Sequence, residues 1–263
     1  MRPARLGAVS YLNTTPLVRG LDARPDLFTV RFDVPSLCAS LLHAGSVDVG
    51  LIPAVEYLSG DYAIVPDIAI GSDGPVVSVA IFTRVPIGEV HTLALDTSSR
   101  TSAALTRILC ARHWRTAPVF TPADPDVDVM LATNDAALVI GDRALEIDAA
   151  ALGATKIDLG IAWKEMTGLP FVYAVWAGRP DALDHEQVVA LRDARARGER
   201  EVAQIARETG GGNPAIEGRN LEYLRDTLRY GLSERETAGL SRFHALAVEL
   251  GIAPAIRPLR FYA

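Results

Sequence analysis

Strand-like and helix-like stretches alternate along the first two thirds of the chain, and this alternation limits the possible folds more than any other feature. Short runs rich in branched and aromatic residues are followed by polar loops and then by apolar residues at helical spacing. Such alternation is typical of α/β folds, in which helices connect mostly parallel strands. The predicted strands cover residues 6–9, 28–34, 47–51, 76–82, 93–96, 137–140 and 171–176.

After residue 176 the pattern changes to that of a helical tail. Residues 184–209 form one charged helical pattern, which a run of three glycines ends, and a second helix is predicted over residues 214–230. A third helix begins at Ser233, which together with Glu236 has the sequence signature of a capping box. The chain therefore combines an α/β part with a C-terminal helical part.

Two stretches have the character of crossings between lobes, namely residues 83–88 and the strand 171–176. Two crossings imply a discontinuous first lobe and a central second lobe. We therefore predict lobe I over residues 1–83 and 176–263 and lobe II over residues 84–175. A small molecule would bind in the cleft between them, which is a common place for such sites.

Composition and charge argue against several classes of function. The 263 residues carry a net charge of −6, whereas a nucleic-acid-binding surface normally has a basic excess. No apolar stretch is long enough to span a bilayer or to act as a signal peptide, so we expect a cytoplasmic protein without membrane contact. The histidines and cysteines lack metal-ligand spacing and no cofactor motif is present, so we predict neither a metal nor a cofactor.

A loop rich in hydroxyl groups gives the strongest indication of a ligand site. It follows the predicted strand 93–96 and leads into a helix, so hydroxyls, one guanidinium and the free N–H groups of a helix start come together. These donors suit a carboxylate or a phosphate. The alternative is an ordinary helix cap with an exposed arginine. The candidate residues are Thr97, Ser99, Arg100, Thr101 and Ser102.

The first predicted strand also ends in a polar loop, which includes Ser10, Tyr11 and Asn13. Thr15 and Pro16 then have the residue types expected at the N-cap and the first position of a helix. Small ligands bind at the carboxyl ends of strands in open α/β sheets. The loop is therefore either part of a binding site or an ordinary connection.

Other strand ends supply four further candidates. Gly141 allows close approach of the backbone to a ligand, and Asp142 beside it is either a ligand contact or a helix cap. Glu56 lies in a predicted first helical turn, where the helix dipole favours a glutamate even without a ligand. Ser78 lies in the apolar run 76–82, where a lone serine would only bond to backbone.

Six segments together resemble the chorismate dehydratase family of the futalosine route to menaquinone. They occur in family order between residues 9 and 176. The resemblance implies a type II periplasmic-binding-protein fold and the conversion of chorismate, a dianion, into 3-[(1-carboxyvinyl)oxy]benzoate and water. It also implies that Ser78 faces the cleft. The segments are VSYLNTTPL, DVGLIPAVEY, GSDGPVVSV, SSRTSAAL, VIGDRAL and DLGIAWKEMTGLPFVYAVW.

Two alternative functions stay open. Dihydroxynaphthoate synthase of the same route shares the fold, but that family carries a histidine in an Ile-His-Glu-Gly segment. This chain has Ile140-Gly141-Asp142-Arg143 there, which favours the dehydratase. A non-catalytic binding protein for a small carboxylate would have the same fold and would return its ligand unchanged.

The resemblance implies a reaction for which the sequence shows no conventional base. None of the histidines lies in a matched segment. We predict that Asn13 and Ser78 are catalytic because they hold the enolpyruvyl carboxylate of the substrate, which itself takes the C3 proton. The alternative is that Glu56 is the base.

Overall fold

Two five-stranded sheets form the framework of the computed structural model, which describes residues 2–263. The strands are numbered in chain order. The first sheet contains β1 (Ala4–Val9), β2 (Phe28–Asp33), β3 (Val49–Pro53), β4 (Ala63–Ser72) and β10 (Phe171–Gly178). The second sheet contains β5 (Val79–Thr83), β6 (Thr92–Asp96), β7 (Val119–Ala123), β8 (Ala136–Ile140) and β9 (Thr155–Asp158).

The helices connect these strands and form the tail. Within the described residues, no helix is long and apolar enough to cross a membrane. The cytoplasmic location stays a prediction. The helices between strands are α1 (Pro35–His43), α2 (Arg100–Leu109), α3 (Val127–Thr133), α4 (Gly141–Glu146) and α5 (Leu159–Thr167). The tail contains α6 (His185–Arg200), α7 (Val202–Gly210), α8 (Pro214–Glu222) and α9 (Glu234–Glu249).

Both sheets are mixed rather than mostly parallel, which corrects one sequence expectation. The strand order is β2-β1-β3-β10-β4 in the first sheet and β7-β6-β8-β5-β9 in the second. Strand β10 is antiparallel to β3 and β4, and β5 is antiparallel to β8 and β9. Strand β5 is the first strand after the chain crosses to the second sheet, and β10 is the first strand after it returns to the first sheet. Each crossing therefore inserts a strand that runs against its neighbours.

The chain crosses between the sheets earlier than the sequence suggested. Residues 79–83 already belong to the second sheet, so the first crossing lies at residues 73–78 instead of 83–88. The return strand belongs to the first sheet from Phe171 onwards rather than from residue 176. Both strands are buried along their whole length, so their apolar patterns do not distinguish one sheet from the other. The division into two lobes stays a prediction.

The loop after β1 differs from its predicted form. Residues Leu12–Val18 form a 3₁₀ helix that follows Tyr11, and Pro16 lies inside it. Thr15 is therefore not an N-cap. In the tail, the long charged helix ends at Arg200 rather than at the glycines, whereas the capping box that begins α9 is confirmed.

The tail packs against the first sheet through an aromatic cluster. The ring of Phe243 in α9 lies 5.0 Å from that of Phe171 in β10 and 6.3 Å from that of Trp163. Both contacts are edge-to-face, a favourable arrangement for buried rings. Gly239 allows this close approach, because a Cβ atom there would lie 2.1 Å from the carbonyl oxygen of Pro170.

His244, next to this cluster, fixes the tail to the segment after β3. Its Nε2 lies 2.8 Å from the carbonyl oxygen of Ala54, and its ring stacks on Tyr57 at 5.8 Å. The side chain is buried. Burial lowers the pKa of His244 to about 4, and the bond to Ala54 opposes this effect. The folded protein therefore holds His244 neutral, as the donor of a hydrogen bond to backbone.

We expect His244 to make stability depend on pH. A histidine with a lowered folded-state pKa contributes fully above its ordinary value of 6.5 and loses that contribution as pH falls towards 4. The slope reaches about 1.4 kcal/mol per pH unit for one proton. Urea unfolding from pH 7 to pH 4 should show this slope in the wild type and a smaller one in His244→Gln. The exposed His185 provides the control His185→Gln, and an equal change in both variants would contradict the assignment.

Candidate active site

A cavity lies between the two sheets and is lined by residues from both of them. Its walls are mainly apolar with a few hydroxyl and amide groups, the composition expected of a small-molecule site. Within residues 2–263, no group of His, Cys, Asp and Glu side chains could hold a metal ion. Six of the twelve predicted site residues line the cavity, namely Tyr11, Asn13, Ser78, Ser99, Ser102 and Gly141.

The start of α2 forms one polar wall of the cavity. Ser99 is the N-cap, and its hydroxyl accepts a hydrogen bond from the backbone N–H of Ser102 at 3.3 Å. The two hydroxyl oxygens are 2.9 Å apart, and both residues are buried. A helix start with two hydroxyls beside it favours a bound carboxylate.

A buried carboxylate, Asp96, forms hydrogen bonds with the loop that leads into this wall. It accepts hydrogen bonds from the backbone N–H and the hydroxyl of Ser98, at 2.8 and 2.5 Å, and from the N–H of Ile140 at 3.2 Å. Burial raises the pKa of Asp96, and these bonds oppose the rise. The hydroxyl of Tyr11 donates to Ser98 at 3.3 Å, so a hydrogen-bonded chain joins the two sheets. The site prediction omitted Asp96, although it precedes the hydroxyl-rich loop.

Gly141 and Asp142 also connect the two sheets. The carboxylate of Asp142 accepts from the backbone N–H of Leu12, with both oxygens at 3.2 Å, and the side chain does not line the cavity. Burial raises the pKa of Asp142, and this bond from Leu12 opposes the rise. Gly141 has a φ of 69°, and a Cβ atom there would lie 3.0 Å from the ring of Tyr11. Only glycine therefore allows the backbone and this ring to come so close.

Arg100 and Glu56 lie outside the cavity lining, where they pair with each other. A guanidinium nitrogen of Arg100 lies 3.1 Å from the Glu56 carboxylate, and another donates to the hydroxyl of Ser40 at 3.0 Å. The same Glu56 oxygen lies 2.6 Å from Nε2 of His43. Both charges are therefore engaged in a cluster between the sheets rather than presented to the cavity.

The other three predicted residues also lie elsewhere. Thr101 accepts from the backbone N–H of Val55 at 3.1 Å, which gives another contact between the sheets. Ser10 and Thr97 are exposed to solvent, and neither lines the cavity. Any role of these residues towards a ligand stays a prediction.

Ser78 meets a partner that the sequence did not indicate, Tyr223 of the tail. The tyrosine hydroxyl donates to the Ser78 hydroxyl at 2.7 Å, and both residues are buried. Burial raises the pKa of Tyr223 well above its ordinary value, and hydrogen bonds with Ser78 and Asn13 oppose the rise. Tyr223 is therefore a neutral donor that lies beside both Ser78 and Asn13. No sequence motif marks it, because the contact spans 145 residues.

Several solved structures have a similar arrangement of sheets. A protein from Archaeoglobus fulgidus has a TM-score of 0.70 at 17% identity, with 95% of this chain and 98% of that chain covered. The periplasmic aliphatic sulphonate binding protein SsuA from Escherichia coli has a TM-score of 0.64 at 16% identity, with 100% and 94% covered. A Candida albicans protein described as having the generic periplasmic binding protein fold has a TM-score of 0.61 at 12% identity, with 98% and 92% covered. The chain therefore has a periplasmic-binding-protein-like fold, which confirms the predicted fold class.

Sequence similarity then identifies the family. The model of a menaquinone biosynthesis family matches residues 4–249. A chorismate dehydratase from Thermus thermophilus is 33% identical over 279 residues, with 98% of this chain and 100% of that protein covered. The chain belongs to the menaquinone biosynthesis family, and the resemblance of its six segments is confirmed.

Gly141 provides a test of the packing across the cavity. Alanine at either Gly141 or Gly153 would be strained by a positive φ, at a cost of about 1–2 kcal/mol. Only at Gly141 would the new methyl group also meet the Tyr11 ring, which should cost about 1 kcal/mol more. Urea unfolding should therefore show a larger loss for Gly141→Ala than for Gly153→Ala. The difference should vanish in a Tyr11→Ala background, and equal losses in the wild-type background would contradict the packing.

Proposed function

We propose that the protein is a chorismate dehydratase, a carbon–oxygen lyase that converts chorismate into 3-[(1-carboxyvinyl)oxy]benzoate and water. The observation that carries the proposal is the 33% identity with the Thermus thermophilus chorismate dehydratase over 98% of the chain. The cavity supports it, since apolar walls, hydroxyl groups, an amide and a helix start together suit an anionic ring compound.

Two polar regions of the cavity match the two carboxylates of chorismate. The start of α2 offers the hydroxyls of Ser99 and Ser102 and the free N–H groups of a helix start to one carboxylate. Asn13 and Ser78 offer an amide and a hydroxyl to the enolpyruvyl arm. The lining between these groups is mainly apolar, which suits contact with the ring.

The base in this proposal is the substrate itself. Among the described residues that line the cavity, none carries a carboxylate or an imidazole. The enolpyruvyl carboxylate takes the C3 proton, the C3–H electron pair forms the C3–C4 double bond, and the C4 hydroxyl leaves. The hydroxyl and the proton taken from C3 together make the water that is released. Since the ring becomes aromatic, the protein mainly has to hold the reactive conformer and stabilise developing charge.

Tyr223 determines the direction in which the Ser78 hydroxyl can donate a hydrogen bond in this reaction. Because the tyrosine hydroxyl donates to the serine oxygen, the proton of Ser78 remains free to be donated to a substrate oxygen. The raised pKa of Tyr223 supports this role, since a neutral tyrosine keeps its proton. The contacts of Glu56 support substrate-assisted elimination over a side-chain base, because Arg100 and His43 already occupy its carboxylate.

Incubation of the pure protein with chorismate tests the function directly. We expect an aromatic product, which ultraviolet absorption and mass spectrometry would identify as the enolpyruvyl ether of 3-hydroxybenzoate. Added EDTA should leave the rate unchanged, since no metal enters the proposed reaction. Chorismate that binds but is recovered unchanged would instead favour a binding protein of the same fold.

Two matched variants test the identity of the base. Asn13→Asp should lower kcat on the order of a hundredfold, because the new carboxylate cannot donate and repels the substrate carboxylate. KM should change much less, since the start of α2 still binds substrate. Glu56→Gln should stay substantially active.

The opposite pair of results would overturn this mechanism. If Asn13→Asp turns over chorismate normally while Glu56→Gln is inactive, Glu56 is the base. Circular dichroism of both variants would check that the fold is retained.

A further inference from the structure

The residues before Ser78 form a strained turn. The backbone N–H of Ser78 donates to the carbonyl oxygen of Val76 at 2.6 Å, and Val77 between them has a φ of 54°. A bond from residue i+2 to residue i across a positive φ defines a rare and strained γ-turn. Val77 is also β-branched, a type of residue for which a positive φ is especially unfavourable. Another group must therefore hold this turn in place.

The carboxylate of Asp158 holds it. One of its oxygens accepts from the backbone N–H of Val77 at 2.6 Å and from that of Val76 at 3.0 Å. The other oxygen accepts from the N–H groups of Gly160 and Ile161, at 2.8 and 3.1 Å, at the start of α5. One side chain thus caps a helix and fixes the turn.

Asp158 is itself well anchored. It is the last residue of β9, where it pairs with Ala80 of β5, two residues after Ser78. The carboxylate therefore approaches the turn from a neighbouring strand whose register is fixed. The pairing of β9 with β5 therefore fixes where the carboxylate lies relative to the backbone just before Ser78.

Ser78 depends on this turn for its place in the cavity. Its carbonyl oxygen accepts from the N–H of Gly141 at 2.8 Å, and its hydroxyl accepts from Tyr223. Val76, at the other end of the turn, also lines the cavity. If Val77 relaxed to a negative φ, the backbone of Ser78 would rotate, and its hydroxyl would leave Tyr223.

We propose that Asp158 is a positioning residue that holds Val77 at a positive φ and thereby sets the Ser78 hydroxyl for the reaction. This inference rests on the proposed function, in which Ser78 touches the substrate. Asp158 itself does not line the cavity and acts only through the turn.

The substitution Asp158→Asn separates the two roles of this side chain. Asparagine keeps one oxygen acceptor and is a good N-cap, so it still caps α5. Its amide group would face the N–H of Val77 and could not accept from it. We expect kcat to fall on the order of a hundredfold with KM almost unchanged, since a small misplacement of a reacting group has effects of this size.

Substitution of Val77 provides a rescue that a simple loss of stability would not show. Glycine adopts a positive φ without steric cost, so Asp158→Asn/Val77→Gly should recover most of the lost kcat. Asp158→Asn/Val77→Ala should not, because alanine retains the strain. Asp126 also caps a helix, α3, through one backbone N–H, so Asp126→Asn controls for the loss of a carboxylate at a cap and should leave kcat unchanged.

Each outcome decides between the alternatives. A wild-type kcat in Asp158→Asn, or no rescue by Val77→Gly, would overturn the inference.

If Asp158→Asn does not fold, Asp158→Ser removes the facing amide while retaining a capping oxygen, and the same rescue is tested there. A crystal structure of the variant reports on Val77 whatever the substrate. Failure of the wild type to convert chorismate would contradict the proposed function, whereas Val77 remaining at a positive φ without Asp158 would contradict this inference alone.

Discussion

The hydrogen bonds to the buried carboxylate of Asp96 are the interaction on which the rest of the site depends. A carboxylate removed from water is costly unless donors surround it. Here the donors come from the hydroxyl-rich loop, through Ser98, and from the end of β8, through Ile140. The polar wall at the start of α2 and Gly141, which follows β8, therefore have a fixed relative position. From Ser98 the network continues to Tyr11, so the same carboxylate also orders the first sheet at the cavity.

The tail completes a site that the two sheets alone would leave unfinished. Leu228 lines the cavity, and Tyr223 bonds to Ser78 behind it. The aromatic cluster of α9 attaches the tail to β10, and the bond from His244 to Ala54 attaches it to the segment after β3. The helical tail is thus part of the packing around the cavity.

The sequence predicted those features that local patterns determine. The hydroxyl-rich strand-to-helix loop located Ser99 and Ser102, since capping chemistry is encoded within a few residues. The polar loop after the first strand indicated Asn13, and the family resemblance indicated Ser78; both residues line the cavity. The direction of the Arg100 side chain could not be read from the same loop, because a glutamate from the other sheet pairs with it.

Features that depend on distant packing could not be predicted in this way. The contacts of Tyr223 with Ser78 and of Asp158 with Val77 span 145 and 81 residues, so no local pattern reveals them. The sequence also did not show to which sheet β5 belongs. A completely buried strand has the same continuous apolar pattern in either sheet. The apolar run 76–82 concealed a turn at its start, since valine at a positive φ is contrary to its local preference.

The double crossing between sheets also sets the order in which the molecule can be completed during synthesis. The second sheet uses only residues 79–158, a continuous piece of chain that can pair its strands as soon as it has left the ribosome. The first sheet must wait for β10, which is inserted between β3 and β4. The donor to Ser78 arrives only with residue 223. A nascent chain therefore carries an incomplete pocket through most of its translation, and its capacity to act on a small molecule is among the last properties it acquires.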